Sequence, residues 1–412
     1  MPPRGHATAA GRRSSRKPSS ASKAAPGDSQ SFQAVGQRAG GSPIVPVKVD
    51  HHSTPARQRL AELCEEKLEG LPFPVGRTTS IVGYGRAMWA YQLDGPGRIR
   101  DVDVDPPRPA DLRPGDLLLR FLVGGICGSD VPKFTGAAPA DGHDQLGPGY
   151  PLHEIVAEVV ASASARFRAG DRVVGVARGV QGLREYSVTS DFLVCAVPDQ
   201  LPGQLPDRLP DLQAIAAQPL ATVLSAVDRA PDVAGRTVAV LGLGPIGLLF
   251  AHVLKARGAR SVVGVDPVDR TEVAADYGLD ESVASTASAW VAGLADDDRV
   301  DLCVEAVGHQ TATLADAVRA AAPGGHVLAF GVVDTEDHVV PFRTFFRKNL
   351  SMTAGTTPHD HWVPYLGRAL ELLAARPLPA YVTHALPVTE AQKAYDLAAT
   401  PAPGRLKVAM TA

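Results

Sequence analysis

The thirty residues TVAVLGLGPIGLLFAHVLKARGARSVVGVD, Thr237 to Asp266, restrict the fold more than any other stretch of the chain. An apolar run of strand length, a glycine turn, a helical run and a second apolar run make one βαβ unit. Parallel strands joined by helices belong to a doubly wound sheet with helices on both faces. The alternation continues: DLCVEAVG reads as a strand, TLADAVRAA as a helix and GGHVLAFGV as a strand.

Gly242, Gly244 and Gly247 form G-x-G-x-x-G at the point where strand meets helix, with Ile246 in the same turn. In that setting the first glycine permits the turn, the second lets a pyrophosphate approach the backbone, and the third allows close helix–strand packing. The helix N-terminus adds free N–H groups and a positive dipole. Asp266 closes the second strand. A carboxylate there can accept hydrogen bonds from both ribose hydroxyls and repels a 2′-phosphate, so NAD is expected over NADP. Arg270, four residues on, is placed to stack on adenine or to recruit NADP.

Before residue 229 the pattern differs. From Met88 onward, MWAYQL, DLLLRFLV, IVAEVVAS and DRVVGVA are short β-like runs bounded by Gly and Pro, as in an antiparallel β-rich domain. The stretch TPARQRLAELCEEKLEG, 54 to 70, reads as an amphipathic helix capped by Thr54, with Leu60, Leu63, Cys64 and Leu68 on one face.

The net charge of −3 conceals a basic N-terminus. Residues 1 to 50 carry eight Lys/Arg against two Asp/Glu, and the remainder carries 33 against 42. The basic segment is rich in Ser, Ala, Gly and Pro with Phe32 as its lone aromatic, so it reads as a solvated tail rather than a nucleic-acid arm. A transit peptide has the same basic, acid-poor character. No apolar run approaches the roughly 18 residues needed to span a bilayer, and a cytoplasmic location is expected.

Four cysteines, Cys64, Cys127, Cys195 and Cys303, lie apart with no C-x-x-C pair, which leaves no disulfide framework and no four-cysteine zinc knuckle to read. A metal must then take His, Asp or Glu as well. Cys127 in GGICGSDVPKF, with His153 and Glu154 in GYPLHEIVAEVV, supplies thiolate, imidazole and carboxylate, the three protein ligands of a catalytic zinc with one open position. Cys195 and Cys303 sit on strand-like runs and suit packing. His359 and His361 in PHDHW suit a loop or helix start near a substrate pocket better than a metal pair.

From Met88 to the C-terminus the motifs GICGSD, LHEIVAEVV, GDRVVGV, GLREYSV, QPLATVLSAV, GLGPIG, DLCVEAVG and PGGHVLAFGV run in the order of one family. The chain resembles the medium-chain dehydrogenase/reductase superfamily, in its zinc-dependent alcohol and polyol dehydrogenase branch. The resemblance implies that Cys127, His153 and Glu154 hold a catalytic zinc and that Ser129 passes the substrate proton. It also implies that Asp130 braces His153 and that Thr222 lies by the nicotinamide. Four departures stand out. Leu152 replaces a glycine before the His-Glu pair, and Pro132 replaces a relay histidine. Gln218 replaces the glutamate of a Glu-Pro-Leu triplet, and the four-cysteine structural-zinc lobe is missing, so one zinc ion is expected.

The expected architecture is a GroES-like β domain, 85–228 and 345–412, with a Rossmann domain at 229–344, after a basic tail at 1–53 and a helical extension at 54–84. The expected activity is hydride transfer between a secondary alcohol and NAD, assisted by zinc, in a homodimer or homotetramer with no membrane or nucleic-acid partner. Two other readings stand beside it: a zinc-independent NAD(P)H reductase of an enone or carbonyl, and a non-catalytic nucleotide-binding regulator.

Overall fold

The computed structural model describes residues 86–137, 146–198, 208–335, 337–357 and 361–412, all within one compact unit, Pro74–Ala412. The expected tail, the 54–84 extension with its helix and Cys64, and His359 lie outside the described residues.

Strands β1 (Met88–Leu93) and β2 (Ile99–Val104) form an antiparallel hairpin. Next come β3 (Asp116–Gly125), β4 (Glu154–Ser162), β5 (Arg172–Val176), β6 (Tyr186–Ser190) and β7 (Val194–Ala196), paired antiparallel around β3 and β4. The run DLLLRFLV lacks polar alternation because both of its faces are covered. Leu117 and Leu119 pack with Ile155, Val159 and Val173, while Leu118 on the other face meets Met88, Val160 and Tyr186. Short helix α1 (Asp130–Thr135) follows β3.

The second sheet holds β8 (Thr237–Leu241), β9 (Ser261–Asp266), β10 (Glu281–Ala284), β11 (Val300–Glu305), β12 (Ala321–Ala329) and β13 (Ser351–Ala354). Their order is β10-β9-β8-β11-β12-β13, every pair parallel. The order reverses at β8, which opens a crevice beyond the carboxyl ends of β8 and β11, where such sheets bind ligands. Helices α2 (Ala217–Arg229), α3 (Pro245–Ala256), α4 (Ala312–Ala320), α5 (Trp362–Ala375) and α6 (Ala391–Ala399) complete the elements used below.

Strands β14 (Val382–Pro387) and β15 (Lys407–Thr411) return to the first sheet. With α6 between them they pair parallel, and β15 then lies antiparallel against β3. One core joins the two sheets: Val123, Val156 and Val174 of the first and Val238 and Val240 of the second pack with the buried face of α2 and with Leu366 and Leu370 of α5. Burial of each such side chain contributes about 1.5–3 kcal/mol, so α2 is anchored on both sides. The two sheets with their helices are the mixed α/β, GroES-like and Rossmann class expected from the sequence. Among the described residues no helix is long and apolar enough to cross a membrane.

Candidate active site

The β3/β4 register places Gly125 opposite Glu154. Cys127 follows two residues after one strand and His153 precedes the other, so antiparallel pairing brings the two motifs together although 25 residues separate them. Among the described residues, Cys127, His153 and Glu154 form the one group of three or more His, Cys, Asp or Glu whose ligand atoms all lie within 4.8 Å of one another.

Asp130 organises this group from beneath. It is fully buried; its Oδ2 accepts the backbone N–H of Cys127 at 3.1 Å, and its Oδ1 stands 2.8 Å from His153 Nδ1. One carboxylate thus fixes both the turn that carries Cys127 and the ring of His153. A carboxylate accepts, so Nδ1 donates to Asp130, and in the neutral ring Nε2 has the lone pair that a metal would take. Burial disfavours the charged imidazole, yet Asp130 and then Cys127 outweigh it and hold the His153 pKa well above its usual range. The spot therefore favours positive charge. Thiolate, imidazole and carboxylate together fit zinc.

Glu154 has a partner that the sequence did not announce. Both its oxygens accept from Lys407 Nζ at 2.8 Å, with Glu154 and Lys407 almost wholly buried, and the same ammonium donates to the Ile126 carbonyl at 3.1 Å. Burial lowers the Lys407 pKa, but the Glu154 and Cys127 charges more than offset it and the net direction is upward. Gly125 makes room for this pair: a Cβ there would lie 2.5 Å from Glu154 Oε2 and 3.0 Å from Ile215 Cγ1.

Leu152 points away from the ligand group. It is buried with Phe121, Ile126, Leu183 and Tyr395, and a Cβ on Gly124 would meet its Cδ2 at 2.5 Å, so Gly124 accommodates the larger residue. Pro132 sits in the first turn of α1, where its missing N–H costs no helical hydrogen bond. Gln218 is 6% exposed, and its amide has no hydrogen-bond partner among the described residues. Ile215, three residues before it, packs against Gly125, where a Cβ would lie 3.0 Å from its Cγ1. Thr222, a turn further on, donates its hydroxyl to the Pro219 carbonyl at 2.7 Å. Ser129 precedes α1 half-buried, with no side-chain cap bond.

At the second sheet, Gly242 has φ +89°, and a Cβ on Gly247 would stand 1.8 Å from the Gly242 oxygen. No other residue fits at 247 without moving the turn. Gly244 caps α3, and Pro245 and Ile246 begin it. Asp266 accepts the Leu243 N–H at 2.7 Å and the Val268 N–H at 2.8 Å, which ties the end of β9 to the glycine turn. Each oxygen retains a lone-pair site for a ribose hydroxyl. Arg270 departs from the expectation. It is 4% exposed, and its Nη1 donates to the carbonyls of Ala402 and Arg405 at 2.8 and 2.9 Å. A guanidinium held this way is a clamp on the C-terminal loop, not a platform for adenine.

Glu305, at the end of β11, is another buried group that pattern reading missed. Its carboxylate accepts from the N–H groups of Val307, Gly308 and Gly331 and from the Thr313 hydroxyl, at 2.8–3.2 Å. It knits the turns after β11 and β12 at the crevice, and Val307 packs against Gly242. Cys303 is buried on β11, and burial raises its pKa; Cys195, on β7, is raised by the same cause. Both remain packing residues. His361 caps α5 beside Tyr365.

Residues 113–199 match the alcohol dehydrogenase GroES-like domain family, and residues 245–371 match the zinc-binding dehydrogenase family. The chain is 31% identical over 310 residues to D-altritol 5-dehydrogenase of Agrobacterium fabrum, a match covering 68% of this chain and 88% of that protein. The chain belongs to the medium-chain dehydrogenase/reductase superfamily. Within this superfamily, sorbitol dehydrogenase of Bombyx mori is 26% identical over 348 residues, covering 75% of this chain and 95% of its own. The solved alcohol dehydrogenase of Thermus sp. ATN1 superposes with a TM-score of 0.65 at 28% identity, covering 79% of this chain and 99% of that one. As a medium-chain dehydrogenase of the zinc-binding type, the protein is an oxidoreductase acting on a CH–OH group of a small-molecule alcohol.

Proposed function

We propose that the protein oxidises a secondary alcohol of the polyol, cyclitol or related class with NAD, using one zinc ion held by Cys127, His153 and Glu154. The observation that carries this reading is the Asp130 carboxylate, which binds the Cys127 turn and the His153 ring at once, through Nδ1. A zinc ion held by these residues would supply Lewis-acid polarisation of the substrate oxygen, and a bound nicotinamide would supply the hydride acceptor. Relatives named sorbitol, D-altritol 5- and erythritol/L-threitol dehydrogenase support a polyhydroxylated substrate. The division of labour we infer is a GroES-like part, 85–228 with 345–412, and a Rossmann part, 229–344.

The chain's own groups have distinct tasks. Ser129 Oγ takes the alcohol proton. Pro132 has no side-chain donor or acceptor to pass it on, so it leaves through the cofactor ribose, water or Lys133. Gln218 offers an amide N–H and C=O to a hydroxyl beside the reacting carbon. Lys407 is the counter-ion of the buried Glu154 carboxylate. Gly242, Gly244, Ile246 and Gly247 receive the pyrophosphate, Asp266 the adenosine ribose, and Thr222 borders the nicotinamide.

Zinc quantification on purified protein is expected to give one ion per chain, with Cys127→Ser retaining the fold by circular dichroism but losing both metal and alcohol oxidation. Metal-free wild type with undiminished turnover would sink the reading. It would favour zinc-independent reduction of an enone or carbonyl, which the capture of both Glu154 oxygens by Lys407 gives a concrete basis. In steady-state assays NAD is expected to exceed NADP in kcat/KM by about tenfold or more, since a 2′-phosphate would lie against the Asp266 carboxylate. Asp266→Ser should narrow that gap. A wild type that prefers NADP removes the role given to Asp266.

A further inference from the structure

A cavity of about 570 Å³ opens between α2, α3 and α5, within the size range of small-molecule sites. Its floor is apolar: Leu220 and Leu224 from α2, Val253 from α3, and Leu373 from α5. The rim is cationic. Arg257, Arg368 and Arg376 all line it, and Glu371 is the acidic residue among them.

Asp228 accepts one nitrogen from each of Arg257 and Arg368, which leaves the other guanidinium N–H groups of both for a ligand. Arg376 is exposed and has no side-chain hydrogen bond or ion pair among the described residues. Three arginines against Asp228 and Glu371 leave one excess positive charge at the rim. His252, also in the lining, has its pKa lowered by burial and then by Arg376, as a neutral donor or acceptor beside that cation.

The cavity is separated from the candidate active site by a helix. Gln218 and Thr222 lie i,i+4 on one face of α2, and Leu220 and Leu224 lie i,i+4 two residues further on, about 200° around the helix. A ligand on the leucine face therefore touches none of the groups assigned to catalysis.

We propose that this cavity binds an amphipathic organic anion, its aliphatic body on the leucine floor and its carboxylate or phosphate head on Arg376, Arg257 and Arg368. Such binding does not depend on the chemistry proposed for the catalytic groups.

Isothermal titration of the full chain with decanoate, decan-1-ol and decylamine tests it. Decanoate is expected to bind with one site per chain, and decylamine at least about tenfold more weakly, because hydrogen bonds to charged groups carry the head. Arg376→Glu, a change at an exposed residue, should weaken decanoate about tenfold. Leu224→Trp, which fills the floor, should abolish it if that variant folds. Cys127→Ser should leave it unchanged. Decanoate bound equally by the wild type and Arg376→Glu, or lost in Cys127→Ser, overturns the proposal, the latter by moving the ligand to the catalytic site. So does an absence of decanoate binding coupled to self-association that Arg376→Glu abolishes, which would give the cavity to a second copy of the chain.

Discussion

Lys407→Met is expected to destabilise the protein by about 3–5 kcal/mol, because it leaves the Glu154 carboxylate buried without its cation. Lys407 and Glu154 are 2% and 0% exposed at the side chain, so neither water nor salt can replace the lost contact. The Ile126 carbonyl loses its donor in the same change. The double variant Lys407→Met/Glu154→Gln should recover much of the loss, since removing both charges also removes their desolvation cost. Urea unfolding of the single and double variants measures the difference. A loss below about 1 kcal/mol in Lys407→Met, the range of exposed pairs, would show that the carboxylate has another counter-ion.

Asp130→Asn is expected to lower zinc affinity by about 10–100-fold with little change in overall stability. Asparagine is nearly isosteric, and its carbonyl can still accept the Cys127 N–H. Its NH₂ would then face His153 Nδ1 and donate to it, and the imidazole proton would move to Nε2. That removes the lone pair a metal requires while leaving the packing in place. Competition with a zinc chelator reads the affinity, and thermal unfolding without metal reads the stability. A variant that binds zinc as wild type does would mean that His153 is held by something other than Asp130.

Much of this arrangement was legible in the chain's own letters, for reasons that differ by residue. The glycine turn at 242–247 and the strand ends around it are local: the φ of Gly242 and the missing Cβ of Gly247 belong to one short segment. Cys127 and His153 were legible because a hairpin-like pairing of neighbouring strands joins them. Lys407 was not read as part of the site, since GRLKVAMTA looks like an ordinary C-terminal strand. The usable signal was a lysine that begins a run of apolar residues, which calls for a buried carboxylate partner. Arg270 was misjudged from its closeness to Asp266 in sequence. Its carbonyl partners lie 132 and 135 residues further on, beyond any local pattern. Leu152, one of the departures, is absorbed into an apolar cluster where Gly124 leaves room for it. Gln218 remains the informative departure, because its amide is largely buried and has no hydrogen-bond partner among the described residues.

The wide separation between Glu154 and Lys407, 253 residues, also sets an order of assembly. Pairing of β3 with β4 is short-range and can precede the docking of β15, which must wait for the last strand of the fold to be synthesised. Until then Cys127, His153 and Glu154 can come together without the ammonium that holds both Glu154 oxygens in the finished fold. Arrival of Lys407 neutralises one buried charge and ties the turn at Ile126 to β4, so the electrostatics of this corner are completed by the last strand to dock.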